Sequence, residues 1–211
     1  GIKYQNRNDM AMIYSECDAH AAGTYTTNRV KAAPVLWDRE ITSNKGIGRC
    51  VVINSGIANA CTGQEGLSYC SETAKEAAKC LQISEDGILV ASTGVIGMQL
   101  PINRICAGIH SMAPDLDHSR EAANAAARAI MTTDTREKEV AVTFLVGDKK
   151  VTIGGMCKGS GMIHPNMCTM LSFVTTDLAI SKGLLQEALS ADVSDTNNMI
   201  SVDGDTSTND T

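Results

Sequence analysis

The chain has 211 residues, 43% of them hydrophobic and 20% charged, which suits one domain or two small ones with a buried core. A formal charge of −6 and an aromatic content of 3% argue against nucleic acid, whose phosphates call for cations and whose single strands call for stacking platforms. No apolar run approaches the roughly 18 to 20 residues that span a bilayer, and the first ten residues do not form a signal peptide, so no membrane contact and a cytoplasmic location are expected.

Residues 9–15 alternate in polarity and predict a strand, with a second over 22–27. Residues 49–54 are a short apolar run of buried-strand type, closed by Ser55 and Gly56. Thr62-Gly-Gln-Glu65 has capping-box form, and Leu67, Cys70, Ala74, Ala77, Ala78 and Leu81 follow at helical spacing, which predicts a helix to about Gln82. Residues 87–92 form another buried strand that runs into a turn at Thr93 and Gly94.

A helix from about Ser119 carries Ala122, Ala126 and Ile130 on one face. Residues 139–146 and 151–157, joined by Gly147-Asp-Lys-Lys150, read as a β-hairpin. A strand over 169–176, a capped helix over 181–191 with Leu184, Leu185, Ala188 and Leu189 inward, and a last strand over 199–202 complete the chain. The mixture of strands, helices and hairpins predicts a layered α/β or mixed α+β fold, with sheets flanked by helices, rather than a doubly wound sheet.

Residues 1–182 hold as many acids as bases, so the whole net charge falls after Lys182, the last basic residue. A first residue that is Gly and a polar closing run over 203–211 read as a piece of a longer polypeptide. Eight cysteines scattered through helix and strand patterns, with no secretory signal, are expected as buried reduced thiols.

No two of the four His stand at i,i+4, and neither zinc-finger spacing nor C-x-x-C occurs, so no metal site is expected from spacing. G-x-S-x-G, a phosphate-binding P-loop and a dinucleotide fingerprint are also absent. The densest constellation is the Gly-rich loop from Gly154 through Lys158, Gly159 and Gly161 to Pro165, which leads into a strand starting at Thr169. Spacing alone makes this a loop-to-strand junction, Thr93-Gly94 a strand-ending turn, Lys158 a solvated loop residue and Thr132 a polar helix end.

Longer motifs add to that reading. Thr26-Thr-Asn-Arg-Val-Lys-Ala-Ala-Pro34, Asn54-Ser-Gly-Ile-Ala-Asn-Ala-Cys-Thr-Gly63, Ser92-Thr-Gly-Val-Ile-Gly97, Met131-Thr-Thr-Asp134, residues 158–171 and residues 201–210 occur in the order that marks one family. The chain closely resembles, over its whole length, the glutamate N-acetyltransferase or ornithine acetyltransferase family of arginine biosynthesis, a family with bifunctional members about twice as long. The resemblance implies a fold of the self-cleaving acetyltransferase/aminopeptidase type, an α-subunit region at 1–168 and the start of a β-subunit at 169–211.

It also implies self-cleavage between Cys168 and Thr169, with Thr169 then serving as the nucleophile. The freed α-amine, with a reference pKa of about 7.7 to 8.0, is suited to general-base work near neutrality. Thr93 and Gly94 match the family's oxyanion hole, while Thr132, Lys158 and Thr169 match its substrate contacts. The expected reaction is ping-pong transfer of an acetyl group from N-acetylornithine to glutamate, with ornithine released. No cofactor is expected, with acetyl-CoA open as a second donor, and the expected assembly is a heterotetramer of two α and two β subunits.

One departure is Cys168, where the family has Ala before the nucleophile. Cys is small enough for a strained turn, so cleavage is expected to survive with an altered rate. The alternatives are a self-cleaving aminopeptidase using the same nucleophile and, in a different class, a non-catalytic truncated domain.

Overall fold

The computed structural model describes residues 1–44, 46–161 and 170–202. Two three-stranded sheets form its frame. The first holds β1 (Met10–His20), β2 (Ile47–Ile57) and β3 (Ile88–Val95) in that order, β1 antiparallel and β3 parallel to the central β2. The second is an antiparallel meander of β4 (Lys138–Val146), β5 (Lys149–Lys158) and β6 (Leu171–Thr176). Among the described residues five α-helices accompany them: α1 (Ala33–Asn44), α2 (Gly63–Leu81), α3 (Ile102–Met112), α4 (Arg120–Ala129) and α5 (Lys182–Asp195).

The period of two in a strand decides which residues meet which layer. Cys50 and Val52 of β2 and Ile88 of β3 turn to one face, where Ala74 and Ala77 of α2 and Ile105 and Ile109 of α3 close the main core. Val90, on the same face, packs with Cys70 of α2 and Ala33 of α1. Their neighbours Ile53 and Ala91, with Ala11 of β1, turn to the other face and meet Ala129, Ile130 and Leu171. Met156 and Phe173 of the second sheet complete that layer. Each fully buried Ile here, such as Ile53 or Ile109, contributes about 1.5 to 3 kcal/mol through the area it takes from water.

The mixed, layered architecture agrees with the expectation from sequence. The differences are local and have physical causes. Residues 22–27 form no strand: Tyr25 Oη instead bonds Thr42 Oγ1 at 2.9 Å, and Gly23 exchanges hydrogen bonds with the side chain of Gln186. Helices α1 and α3 had no counterpart in the sequence reading. The inward stripe of α1 includes Asp38 and Thr42, which disguise it as polar, and α3 starts at Pro101 with no side-chain cap to announce it.

Thr62 does precede α2, yet it makes no capping bond to that helix; its hydroxyl donates to Asn59 Oδ1 at 2.6 Å. In α4 the deepest positions are Ala127 and Ala129, followed by Ile130 just beyond the helix, whereas Ala122 is only half-buried. The predicted cap of α5 is present, with Ser181 accepting from Leu184 N, but its inward face is not: Leu184 and Ala188 are exposed and only Val193 is buried. Residues 199–202 form no strand: Met199, which is exposed, closes a single 3₁₀ turn over Asn197–Met199.

Cys50 and Cys70 are buried thiols as expected, whereas Cys17 and Cys61 are exposed; all the described cysteines are free. Among the described residues no helix is long and apolar enough to cross a membrane.

Candidate functional site

Strand β3 does not stop at Ser92. Thr93, Gly94 and Val95 continue it, paired in parallel register with Ser55, Gly56 and Ile57 of β2, so the predicted strand-ending turn is a strand end with irregular backbone. Alternation then turns Thr93 to the face that meets the second sheet, the same side as Ala91.

Gly94 is held at φ +131°, and a Cβ there would lie 2.2 Å from the carbonyl carbon of Gly56. Gly56, its register partner, stands at φ +103° against Lys3 and Tyr4. Both values favour Gly, and the pair brings two backbones closer than any side chain would permit.

Across the gap between sheets, β5 ends at Lys158, which is 3% exposed. Its Nζ donates to Thr93 Oγ1 at 3.2 Å. A buried ammonium needs such acceptors to offset its lost hydration. The loop-lysine reading is thus corrected: Lys158 is a buried strand-end residue that joins the two sheets. It also pairs in register with Leu171, the first residue of β6.

Thr132 lies in the link between α4 and β4, and Asp134 fixes that link against the end of β5. The Asp134 carboxylate accepts from Thr132 N at 3.3 Å, from Gly159 N at 2.9 Å and from Lys138 Nζ. Lys138 Nζ also reaches Gly159 O at 3.1 Å, and the hydroxyls of Thr133 and Ser160 meet at 2.6 Å. Burial opposes ionisation of Asp134, but the hydrogen bonds from Lys138, Gly159 and Thr132 outweigh it and hold the carboxyl below its ordinary value. Arg7 adds a contact from the amino-terminal segment, donating to Met131 O while stacking on Tyr4 at 3.9 Å.

Thr93, Lys158 and Thr132 are therefore tied to the end of β5, Thr93 by its hydrogen bond with Lys158 and Thr132 by way of Asp134 and Gly159, the next residue after Lys158. Gly94 stands beside Thr93 on the strand. Cys168 and Thr169 lie outside the described residues.

Two supports escaped the sequence reading although both sit inside quoted motifs. Asp134 is one. Asn59 is the other: its backbone N–H donates to Ser92 Oγ at 2.8 Å, and its amide donates to Gly66 O at 2.9 Å and Cys70 Sγ at 3.4 Å. It thereby ties the β2–α2 loop to β3 one residue before Thr93. A polar residue in a run of Ala and Gly was the available signal.

This arrangement can do specific chemistry. A hydroxyl that accepts from an ammonium is polarised and donates more strongly in turn, which suits Thr93 to a developing oxyanion.

The ArgJ family model matches residues 1–211, the whole chain. This chain belongs to the ArgJ family. The arginine biosynthesis bifunctional protein ArgJ of Caldanaerobacter subterraneus is 53% identical over 211 residues, covering 100% of this chain and 51% of that protein. ArgJ 1 of Clostridium acetobutylicum is 53% identical over 210 residues, with the same shares covered.

The chain thus spans about half the length of the curated ArgJ relatives it matches. Among solved structures, ArgJ of Bacillus halodurans is similar with a TM-score of 0.73 and 42% identity, over 79% of this chain and 85% of that one. The ornithine acetyltransferase of Mycobacterium tuberculosis, crystallised with ornithine, has a TM-score of 0.63 and 35% identity, over 74% and 82%. The family resemblance read from the motifs is borne out, and so is the fold class.

Proposed function

We propose that the chain forms the amino-terminal part of an acetyltransferase that moves an acetyl group from N-acetylornithine to glutamate in arginine biosynthesis, in the cytoplasm. The observation that carries this reading is the buried Lys158–Thr93 hydrogen bond, set where β5 and β3 end and where Lys158 pairs with Leu171, two residues after Thr169 in sequence.

In the first step the Thr169 hydroxyl attacks the carbonyl carbon of Cys168. The peptide bond becomes an ester by N-to-O shift, and water releases the Cys168 carboxylate and leaves Thr169 with a free α-amine. That amine then takes the hydroxyl proton as Thr169 Oγ attacks the acetyl carbonyl of N-acetylornithine, and passes it to the departing amine of ornithine. The glutamate amine attacks the acetyl-threonine ester, N-acetylglutamate leaves and the hydroxyl is restored.

Thr93 Oγ and Gly94 N–H stabilise the oxyanion of each tetrahedral intermediate, and one such donor is worth about 2.7 to 4 kcal/mol. Thr132 and Lys158 hold the substrate, Lys158 also polarising Thr93. No cofactor is required, acetyl-CoA is a candidate second donor, and the assembly is two α and two β subunits divided at 168/169.

The test uses the protein with the remaining length that its relatives carry. Mass spectrometry should find the chain broken between Cys168 and Thr169, and isotope-labelled acetyl should pass from N-acetylornithine to glutamate. Both should be lost in Thr169→Ala. Transfer that persists in that variant refutes the mechanism, and peptide hydrolysis without acetyl transfer identifies the aminopeptidase instead.

A further inference from the structure

We propose that Glu76 and Cys80 of α2 and His110 of α3 form a site for a zinc-class divalent ion that joins the two helices. Glu76 and Cys80 stand four residues apart and share one face of α2, as Cys106 and His110 do on α3. The two helices pack on each other in the main core through Ala74, Ala77, Ile105 and Ile109, which turns these two pairs toward one another at the rim. His110 Nε2 lies 2.5 Å from Glu76 Oε1, and His110 Nδ1 lies 3.4 Å from Cys80 Sγ. One ligand atom from each of the three residues falls within 4.8 Å of the others.

A tetrahedral ion bound at about 2.3 Å to sulfur, 2.0 to 2.1 Å to nitrogen and 2.0 to 2.2 Å to oxygen needs ligand separations of about 3.3 to 3.6 Å. The contact of Cys80 with His110 Nδ1 already has that spacing. Glu76 meets the other ring nitrogen, Nε2, so an ion held by Nδ1 and Cys80 requires the Glu76–Nε2 hydrogen bond to break and the carboxylate to swing toward Nδ1, and the His110 ring, 56% exposed, has room to turn.

The donor set selects the ion. Thiolate with imidazole and carboxylate suits zinc and poorly suits magnesium or calcium, which take oxygen ligands. A competing contact is Lys79 with Glu76 at 3.9 Å, a pair of small worth because Lys79 is 75% exposed and free to swing out. A solvent-open recess lined by Lys79, Cys80, His110, Ala113 and Pro114 leaves the fourth position to water.

Binding releases the Cys80 proton to solvent and replaces the S–H bond by a metal–sulfur bond, with no change of oxidation state. Cys80 lies ten residues, or about 15 Å, along α2 from Cys70, the neighbour of Asn59. The ion therefore acts on the α2–α3 pair and not on the acyl-transfer chemistry. Spacing tests within the sequence could not find this site, since its ligands come from two helices.

The test is a cobalt titration of the purified, reduced protein, followed by the thiolate-to-cobalt charge-transfer band and by displacement with zinc. One equivalent should bind, and zinc should raise the melting temperature. Cys80→Ser and His110→Ala should each weaken binding by at least about tenfold and abolish the zinc-induced shift, while melting without metal confirms that each variant folds. Cys17→Ser and Cys61→Ser, which alter exposed thiols elsewhere, should bind as the parent does. No saturable band, undiminished binding in Cys80→Ser or His110→Ala, or a loss that follows Cys17 or Cys61 would each overturn the proposal.

Discussion

Replacing Asp134 by Ala removes the acceptor that ties the α4–β4 link to the end of β5. The carboxylate side chain has no exposed surface, and three donors converge on it. Hydrogen bonds to charged groups are worth about 1.5 to 3 kcal/mol, and a buried donor left unpaired costs about 1 to 3 kcal/mol. The short bond from Gly159 N is therefore assigned about 2 kcal/mol and the longer one from Thr132 N about 1.

Lys138 is 45% exposed and rehydrates when its partner leaves, so it adds at most about 1 kcal/mol. The expected loss is about 3 to 4 kcal/mol, read from urea unfolding at neutral pH with an unchanged m-value. Asp134→Asn keeps one oxygen acceptor and should lose about half as much.

The pH dependence supplies a second readout. The native carboxyl sits below its ordinary value of 3.8, so its contribution is fully present above about pH 4 and is lost as pH falls through the lower native value. The gap between parent and Asp134→Ala should narrow in acid. A loss below about 1 kcal/mol, or a gap that stays constant on acidification, would refute the placement of Asp134 as the tie.

Three other outcomes are expected. Gly94→Ala meets both an unfavourable φ and the Gly56 backbone, so it should destabilise by about 3 to 5 kcal/mol in chemical denaturation, because neither strand can retreat without breaking the parallel pairing. Thr93→Val removes the Thr93 acceptor from the Lys158 ammonium and one of the two donors from the oxyanion. Stability should fall by about 1.5 to 3 kcal/mol, and acetyl transfer should drop by about 10²- to 10³-fold in kcat in steady-state assays of the complete enzyme. Burial pushes the Asp38 carboxyl well above its ordinary value against the single opposing hydrogen bond from Val90 N, so the native state keeps its proton longer than the unfolded chain does. Stability should therefore decline as pH rises from about 4, and Asp38→Asn, which retains an acceptor for Val90, should lack that decline in melts across a pH series.

The sequence carried the fold where local signals and tertiary packing agree. The Gly147 turn, the helix start at Ser119, the Ser181 cap and the apolar runs of β2 and β3 act over a few residues and appear in the structure as expected. It failed where a distant partner decides. Residues 22–27 have strand-like composition but are claimed by Thr42 and Gln186, and α1 hides behind two polar residues that its neighbours satisfy.

At the site, periodicity ended both strands one residue short, leaving Thr93 in a turn and Lys158 in a loop, and it could not set the two opposite each other. Their contact spans 65 residues and depends on how two sheets stack. Motif resemblance named them, and geometry added what resemblance lacked: Lys158 is buried, its donor rests on Thr93, and Asp134 locks the adjoining link.

The bridge between Thr93 and Lys158 also bears on timing. Each partner belongs to a different sheet, so neither sheet alone can assemble the pair, and contacts of such sequence separation form late because loop closure must be offset first. On the proposed mechanism the peptide bond at Thr169 can break only after both sheets have docked. Self-cleavage would then mark the completion of folding, and a chain trapped with separated sheets would stay in one piece.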